Sequence, residues 1–193
     1  MEHSNAAATL FLRRAQMRLR LGKYWEVLAD SGKVLKLDEG NLDALYIRAG
    51  AYYRLGDHEM ALRHHREGLR LAPEHKAIKG AYRVLKKITK SWDRAEKYES
   101  EGRHSEAAEE YRSCAAIDPA HDEFNKKAWT ASCRVHVGMG LDSVAKARAA
   151  CDAALRIDEK WLDAQIQRAK TYALEEDWEQ CVREWARAKE FVE

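Results

Sequence analysis

Across residues 42–75 apolar side chains return every three or four positions in two runs, parted at Leu55-Gly56-Asp57 and closed at Pro73. That period predicts two amphipathic helices with a tight turn between them. Small residues stand where the two helices must touch: Ala49 in the first, Ala61 and Gly68 in the second. Tyr52 and Tyr53 fill the first helix near the turn. Shifted back by 34 residues, Gly56 falls on Gly22 and Ala49 on Ala15. An earlier pair of helices is therefore expected over 7–21 and 24–37, with Asp38-Glu39-Gly40-Asn41 as the turn. Its second helix is atypical, with Ser31 and Gly32 where larger residues are common.

Downstream the spacing changes. Ala49, Tyr52, Gly56, Ala61 and Pro73 recur as Ala95, Tyr98, Gly102, Ala107 and Pro119, each 46 positions later. The surplus stretch, 76–87, carries Ile78, Tyr82, Val84 and Leu85 at mostly helical spacing, with no breaker beyond Gly80. One continuous helix is expected over 74–100, about 26 residues and about 39 Å long at 1.5 Å per residue. A two-helix insertion with a loop at Gly80 is the alternative. A fourth pair has its first helix over 122–137, a lengthened turn at 138–142, and Ala147, Cys151 and Ala154 along its second helix. A fifth carries Ala169, Tyr172, Trp178, Cys181, Trp185 and Ala188.

A small–aromatic–small–proline order over 34 residues is the layout of a tetratricopeptide repeat. Such a unit cannot bury its apolar face alone and stacks on copies of itself. The expected fold is all-α: a right-handed superhelical solenoid of about five helix pairs with one long connecting helix. The expected division is a two-repeat sub-stack over 8–75, a helical extension over 76–87 and a three-repeat sub-stack over 88–193. No polar capping helix follows the fifth repeat, so its apolar end calls for more chain or a partner.

Composition agrees with helix: 46% hydrophobic, much of it alanine, with two prolines. Lys+Arg number 34 and Asp+Glu 32, a net charge of +2. This mixed surface lacks the concentrated basic face that nucleic acid needs. No apolar run is long enough to cross a membrane. The first residues show no apolar stretch followed by a cleavage site, which fits a cytosolic protein or one that has lost its leader. The four cysteines lack C-x-x-C spacing, which argues against zinc. Gly138-Met139-Gly140 has no third glycine and follows a helix, so it is no dinucleotide loop. His58, His64 and His65 read as solvated surface rather than as metal ligands, because adjacent residues point about 100° apart on a helix. Trp92, Trp129, Trp161, Trp178 and Trp185 sit at helical spacing and read as core. No nucleophile, base and orienting group can be named together. A non-enzymatic scaffold without cofactor or metal is expected.

Beyond the generic repeat, the stretch YYRLGDHEMALRHHREGLRLAPEHK, the long helix, AEKYESEGRHSEAAEEYRS and the closing ALEEDWEQCVREWARAKE resemble one family. It is the protein-kinase-inhibitor p58 family of ER-luminal J-domain co-chaperones, that of DnaJ homolog subfamily C member three. The resemblance covers roughly 9–192 and corresponds to that family's later repeats. It implies a repeat scaffold that holds unfolded clients or a partner protein in the endoplasmic reticulum lumen. The lumenal Hsp70, BiP, would be reached only through a J domain. The family is also linked to inhibition of kinases that phosphorylate translation initiation factor two, and to the unfolded protein response. No J domain or His-Pro-Asp motif occurs here, and the family's early client-holding repeats are missing. The competing classes are a cytosolic Hsp70/Hsp90 adaptor and a structural subunit of a larger assembly. The adaptor class needs Lys and Asn along its first helices to clamp a carboxylate. The equivalent positions here are Leu12, Gln16, Ile47, Trp92, Glu96, Asp163 and Gln167, which offer no cationic cradle.

First helices line the concave face of such a solenoid. Template positions there give Leu12, Leu19, Tyr46, Ile47, Tyr53 and Trp92 as the expected peptide or partner contacts, rimmed by Arg13, Arg20 and Arg54. The alternative for Tyr53 and Trp92 is burial between helices. The resembling family also carries cysteines at the places of Cys133 and Cys151, and an oxidising lumen would join them. The two slots face each other once the longer turn is allowed for. Closing that loop stabilises by about 3 kcal/mol on the chain-entropy model. Cys114 and Cys181 read as packed thiols. The alternative is four small core cysteines in a cytosolic protein.

Overall fold

The structure is a computed structural model that describes residues 2–190. Within them the chain forms ten α-helices and one 3₁₀ turn, and no strand. In order these are α1 (Glu2–Arg20), α2 (Tyr24–Leu37), α3 (Leu42–Arg54), α4 (His58–Leu71), α5 (Lys76–Ser100), α6 (His104–Ile117), α7 (Asp122–Gly138), the 3₁₀ turn Leu141–Ser143, α8 (Val144–Ile157), α9 (Leu162–Leu174) and α10 (Trp178–Glu190). The chain divides into two compact units, Met1–Lys87 and Ile88–Glu193.

Four of the five helix pairs close in the same way, and the fourth shares only the positive-φ glycine. The backbone turns through a left-handed residue: Gly22, Gly56, Gly102 and Gly140 in the first four pairs, and Glu176 at φ 57° in the fifth. The next N–H then reaches back to a carbonyl five residues earlier, Asp57 to Tyr52, Arg103 to Tyr98 and Asp177 to Tyr172, at 2.9–3.0 Å. This satisfies carbonyls orphaned at the helix end. Asp57 and Asp177 also accept from Met60 and Gln180 N–H groups, starting the second helix.

In the first unit α1 packs on α2, α2 on α3 and α3 on α4. Ala15, Ala49 and Ala61 are fully buried, as close helix approach requires. The atypical Ser31 and Gly32 have a physical reason. Arg48 of α3 crosses to α2, where its Nη1 donates to the Leu28 carbonyl at 2.6 Å and to Ser31 Oγ at 3.4 Å. A Cβ on Gly32 would lie 3.1 Å from that Nη1. Gly68 makes similar room on α4, where a Cβ would meet Ile78 Cδ1 at 2.7 Å.

α5 runs unbroken through Gly80, which excludes a loop there. Its 25 residues span about 38 Å. In the second unit Ala95, Ala107, Ala108, Tyr111, Ala131 and Val135 form one core cluster, with Trp92 and Tyr98 packed against it. The turn of the fourth pair is lengthened by the 3₁₀ segment. Two of the tryptophans expected in the core lie outside it. Trp178 is 62% and Trp185 45% exposed on α10, in line with Val182 at 67%, because no described helix packs on that face. Among the described residues no helix is long and apolar enough to cross a membrane.

Candidate partner-binding surface

The first helices distribute the expected contact residues unevenly. Leu12 and Leu19 of α1 are half-buried against a cluster of Ala15, Val27, Ile47 and Ala51. Ile47 is only 5% exposed. It is a core residue and offers no surface to a partner, which corrects its place among the contacts. Its neighbour Tyr46, about 100° round the helix, points out and is 37% exposed. Tyr53 is half-buried, stacked on His58 with ring centroids 5.7 Å apart and with the Arg54 guanidinium 5.9 Å from its ring. Trp92 belongs to the second unit. Its ring meets Tyr111 edge-on at 4.9 Å and Phe124 at 5.4 Å, and its indole N–H donates to Glu96 at 2.8 Å. It is held as packing in that unit's core.

The histidines of α4 depart from the expected solvated surface. His65 is 3% exposed, and His64 is half-buried. His64 Nε2 accepts from Arg48 Nε at 3.3 Å, and its ring stacks on Tyr52 at 5.5 Å. Burial, then the Arg48 and Arg63 charges, lower its pKa to about 4. Burial, then His64, lowers His65 to about 4 as well. Both rings are neutral at pH 7. Sequence period alone missed them because their cover, Tyr46, Arg48 and Tyr52, comes from α3. Among the described residues no three metal-ligating side chains converge.

Five cations of the first helices are occupied. Arg14 and Arg18 bind Asp30, a carboxylate 1% exposed, at 2.5–2.8 Å. These bonds hold its pKa below the usual carboxylate range. Lys126 lies 3.0 Å from both Glu123 and Asp158 and 4.1 Å above the Trp161 ring. Arg134 grips Glu99, which also accepts from Tyr111 Oη at 3.0 Å. Arg168 joins Asp152 at 3.2 Å and Glu184 at 2.6 Å. A terminal carboxylate would have to displace an internal partner from each of these five, so none of them is preset as a clamp.

The structure joins Cys133 of α7 to Cys151 of α8, with Cα atoms 5.3 Å apart. Ala147, Ala150, Trp129 and Val137 surround the bridge. Cys114 and Cys181 are buried free thiols, and burial raises the pKa of Cys114.

Residues 42–75 match the tetratricopeptide repeat family. The chain is 40% identical over 179 residues to DnaJ protein P58IPK homolog B of Oryza sativa subsp. japonica, covering 93% of this chain and 38% of that protein. The Arabidopsis thaliana P58IPK homolog is 40% identical over 86% of this chain and 34% of its own length. Human DnaJ homolog subfamily C member 3 is 28% identical over 93% of this chain and 35% of its own length. The chain thus spans less than two fifths of these relatives. A crystal structure of the P58(IPK) TPR domain superposes with a TM-score of 0.82 at 27% identity, over 96% of this chain and 51% of that one. This chain is a tetratricopeptide-repeat scaffold, homologous over nearly all its length to the repeat region of the DnaJ P58IPK homologues and of DnaJ homolog subfamily C member 3.

Proposed function

We propose that the chain is the protein-holding scaffold of a J-domain co-chaperone and works in the lumen of the endoplasmic reticulum on unfolded clients or a partner protein. The 40% identity over 93% of the chain to a DnaJ P58IPK homologue carries this reading. The apposed Cys133 and Cys151 favour an oxidising compartment. The surface proposed for holding is the first unit's Tyr46, with Leu12, Leu19 and Tyr53 as its half-buried apolar surroundings. Ile47 lies behind it as packing, and Trp92 packs in the second unit's own core. BiP-type Hsp70 would be engaged through a J domain, whose His-Pro-Asp motif does not occur in these 193 residues.

The test is suppression of aggregation of a chemically denatured client by the purified chain. Tyr46→Ala removes an exposed ring and leaves the buried cluster intact. It is expected to weaken holding severalfold while the helical circular dichroism stays unchanged. Full holding by a folded Tyr46→Ala protein would reject the surface. A purified native complex with one stoichiometric partner would favour the subunit of an assembly instead.

A further inference from the structure

The second unit has a surface that the holding role does not use. Helices α6 and α8 stand either side of α7 and leave a groove between them. It holds two cavities of about 520 and 420 Å³ that share Arg112 and Trp129. α7 supplies the floor: Asn125, Trp129, Ser132 and His136. The α8 wall is a stripe of small residues at helical spacing, Ala149, Ala150 and Ala153. Small walls keep the groove open, and the half-buried Trp129 gives it an aromatic base.

The rim carries the sign of the ligand. Lys146 and Arg156 close the two ends of the alanine stripe, both exposed and, among the described residues, with no carboxylate in ion-pair range. Arg112 stands opposite on α6, and the single rim carboxylate, Glu109, is its own partner at 2.5 Å. His136 adds no charge at pH 7, since burial and then Lys146 push its pKa down. Two cations are left over. The neighbouring cavity of about 640 Å³ shares Arg156 with the groove but differs in the rest of its lining, where Asp152 and Glu159 add carboxylates and Arg168 and Arg187 are neutralised by Asp152 and Glu184.

We infer that this α6–α8 groove binds an extended, acidic peptide segment with an apolar side chain seated on Trp129. The floor from Asn125 to His136 runs about 16 Å at 1.5 Å per residue. That accommodates about five residues of extended chain at about 3.3 Å each. Exposed rim cations beside the Trp129 ring give both attraction and selectivity for such a segment. Nucleic acid is disfavoured: the cations flank a narrow groove lined by alanines, and the chain as a whole carries a net charge of only +2.

The probe is a fluorescein-labelled pentapeptide, Asp-Glu-Leu-Asp-Glu, titrated against the full chain by anisotropy. Its controls are the lysine counterpart and a single-stranded DNA of equal charge. Binding of the acidic peptide, weakening as ionic strength rises from about 0.1 M to about 1 M, is expected. The double variant K146E/R156E is expected to lose at least about tenfold in affinity. Ala149→Trp, which fills the groove from an exposed position, is expected to lose as much without touching the core. Tyr46→Ala is expected to leave this binding unchanged, which separates it from client holding. Equal binding of the lysine peptide, stronger binding of the DNA, or affinity that survives both groove variants would overturn the inference.

Discussion

His64 and His65 show what a single position can hide. Both rings have their pKa lowered from 6.5 to about 4. The unfolded chain therefore binds more protons than the folded one between these values. Stability is full above about pH 6.5 and falls as the pH drops toward 4. Burial fixes the sign for both rings, and the groups facing His64 add to it. Arg48 and Arg63 repel a proton on His64, while Glu67 Oε2, 3.8 Å away, is too far and too exposed to compensate. The expected loss is on the order of 3 kcal/mol per ring. Urea midpoints measured across that range will show it, and His65→Leu will flatten the profile. A midpoint independent of pH between 4 and 6.5 would mean that the rings are solvated. Asp30 acts lower down. Its depressed pKa leaves its contribution intact until the pH falls below the ordinary carboxylate range.

At the scale of elements the long helix α5 invites a direct measurement. Gly80 sits inside it, exposed, and a Cβ there would meet nothing within 4 Å. Gly80→Ala is expected to stabilise by about 0.5–1 kcal/mol, through helix propensity and a less flexible unfolded chain. Thermal denaturation will report it, and destabilisation would mean that the helix bends or breaks at Gly80. The same substitution at Gly68 would place a Cβ 2.7 Å from the buried Ile78 side chain, so the two glycines of this region play opposite parts. Elements were readily legible in the sequence. The small residues at 49, 61, 95 and 107 and the turn glycines marked the helix pairs, because close packing and left-handed turns leave few alternatives. Faces were less legible. Tyr46 and Ile47 are adjacent, and only the packing of α1 and α2 against α3 decides which is buried. The α10 tryptophans share the period of core residues, and their exposure depends on what packs outside that helix.

For the whole molecule, a repeat array distributes stability by nearest neighbours, so a local constraint should stay local. The Cys133–Cys151 bridge offers the test. It joins α7 to α8 across a sequence separation of 18 and closes the pair with the lengthened turn. On the chain-entropy model a loop of that size is worth about 3 kcal/mol. α7 and α8 pack on α6 and α9, so loosening should spread to those helices. The first unit, Met1–Lys87, has its own cores and is joined covalently through α5. Reduction is therefore expected to raise amide exchange in α6–α9 and to leave α1–α4 protected as before. Thiol titration in denaturant comes first: protein from an oxidising compartment should show two free thiols, Cys114 and Cys181, and four after reduction. Four before reduction would remove the bridge and weaken the case for the lumen. Two thiols with uniform exchange on reduction would keep the bridge but show the units to unfold as one, against nearest-neighbour behaviour.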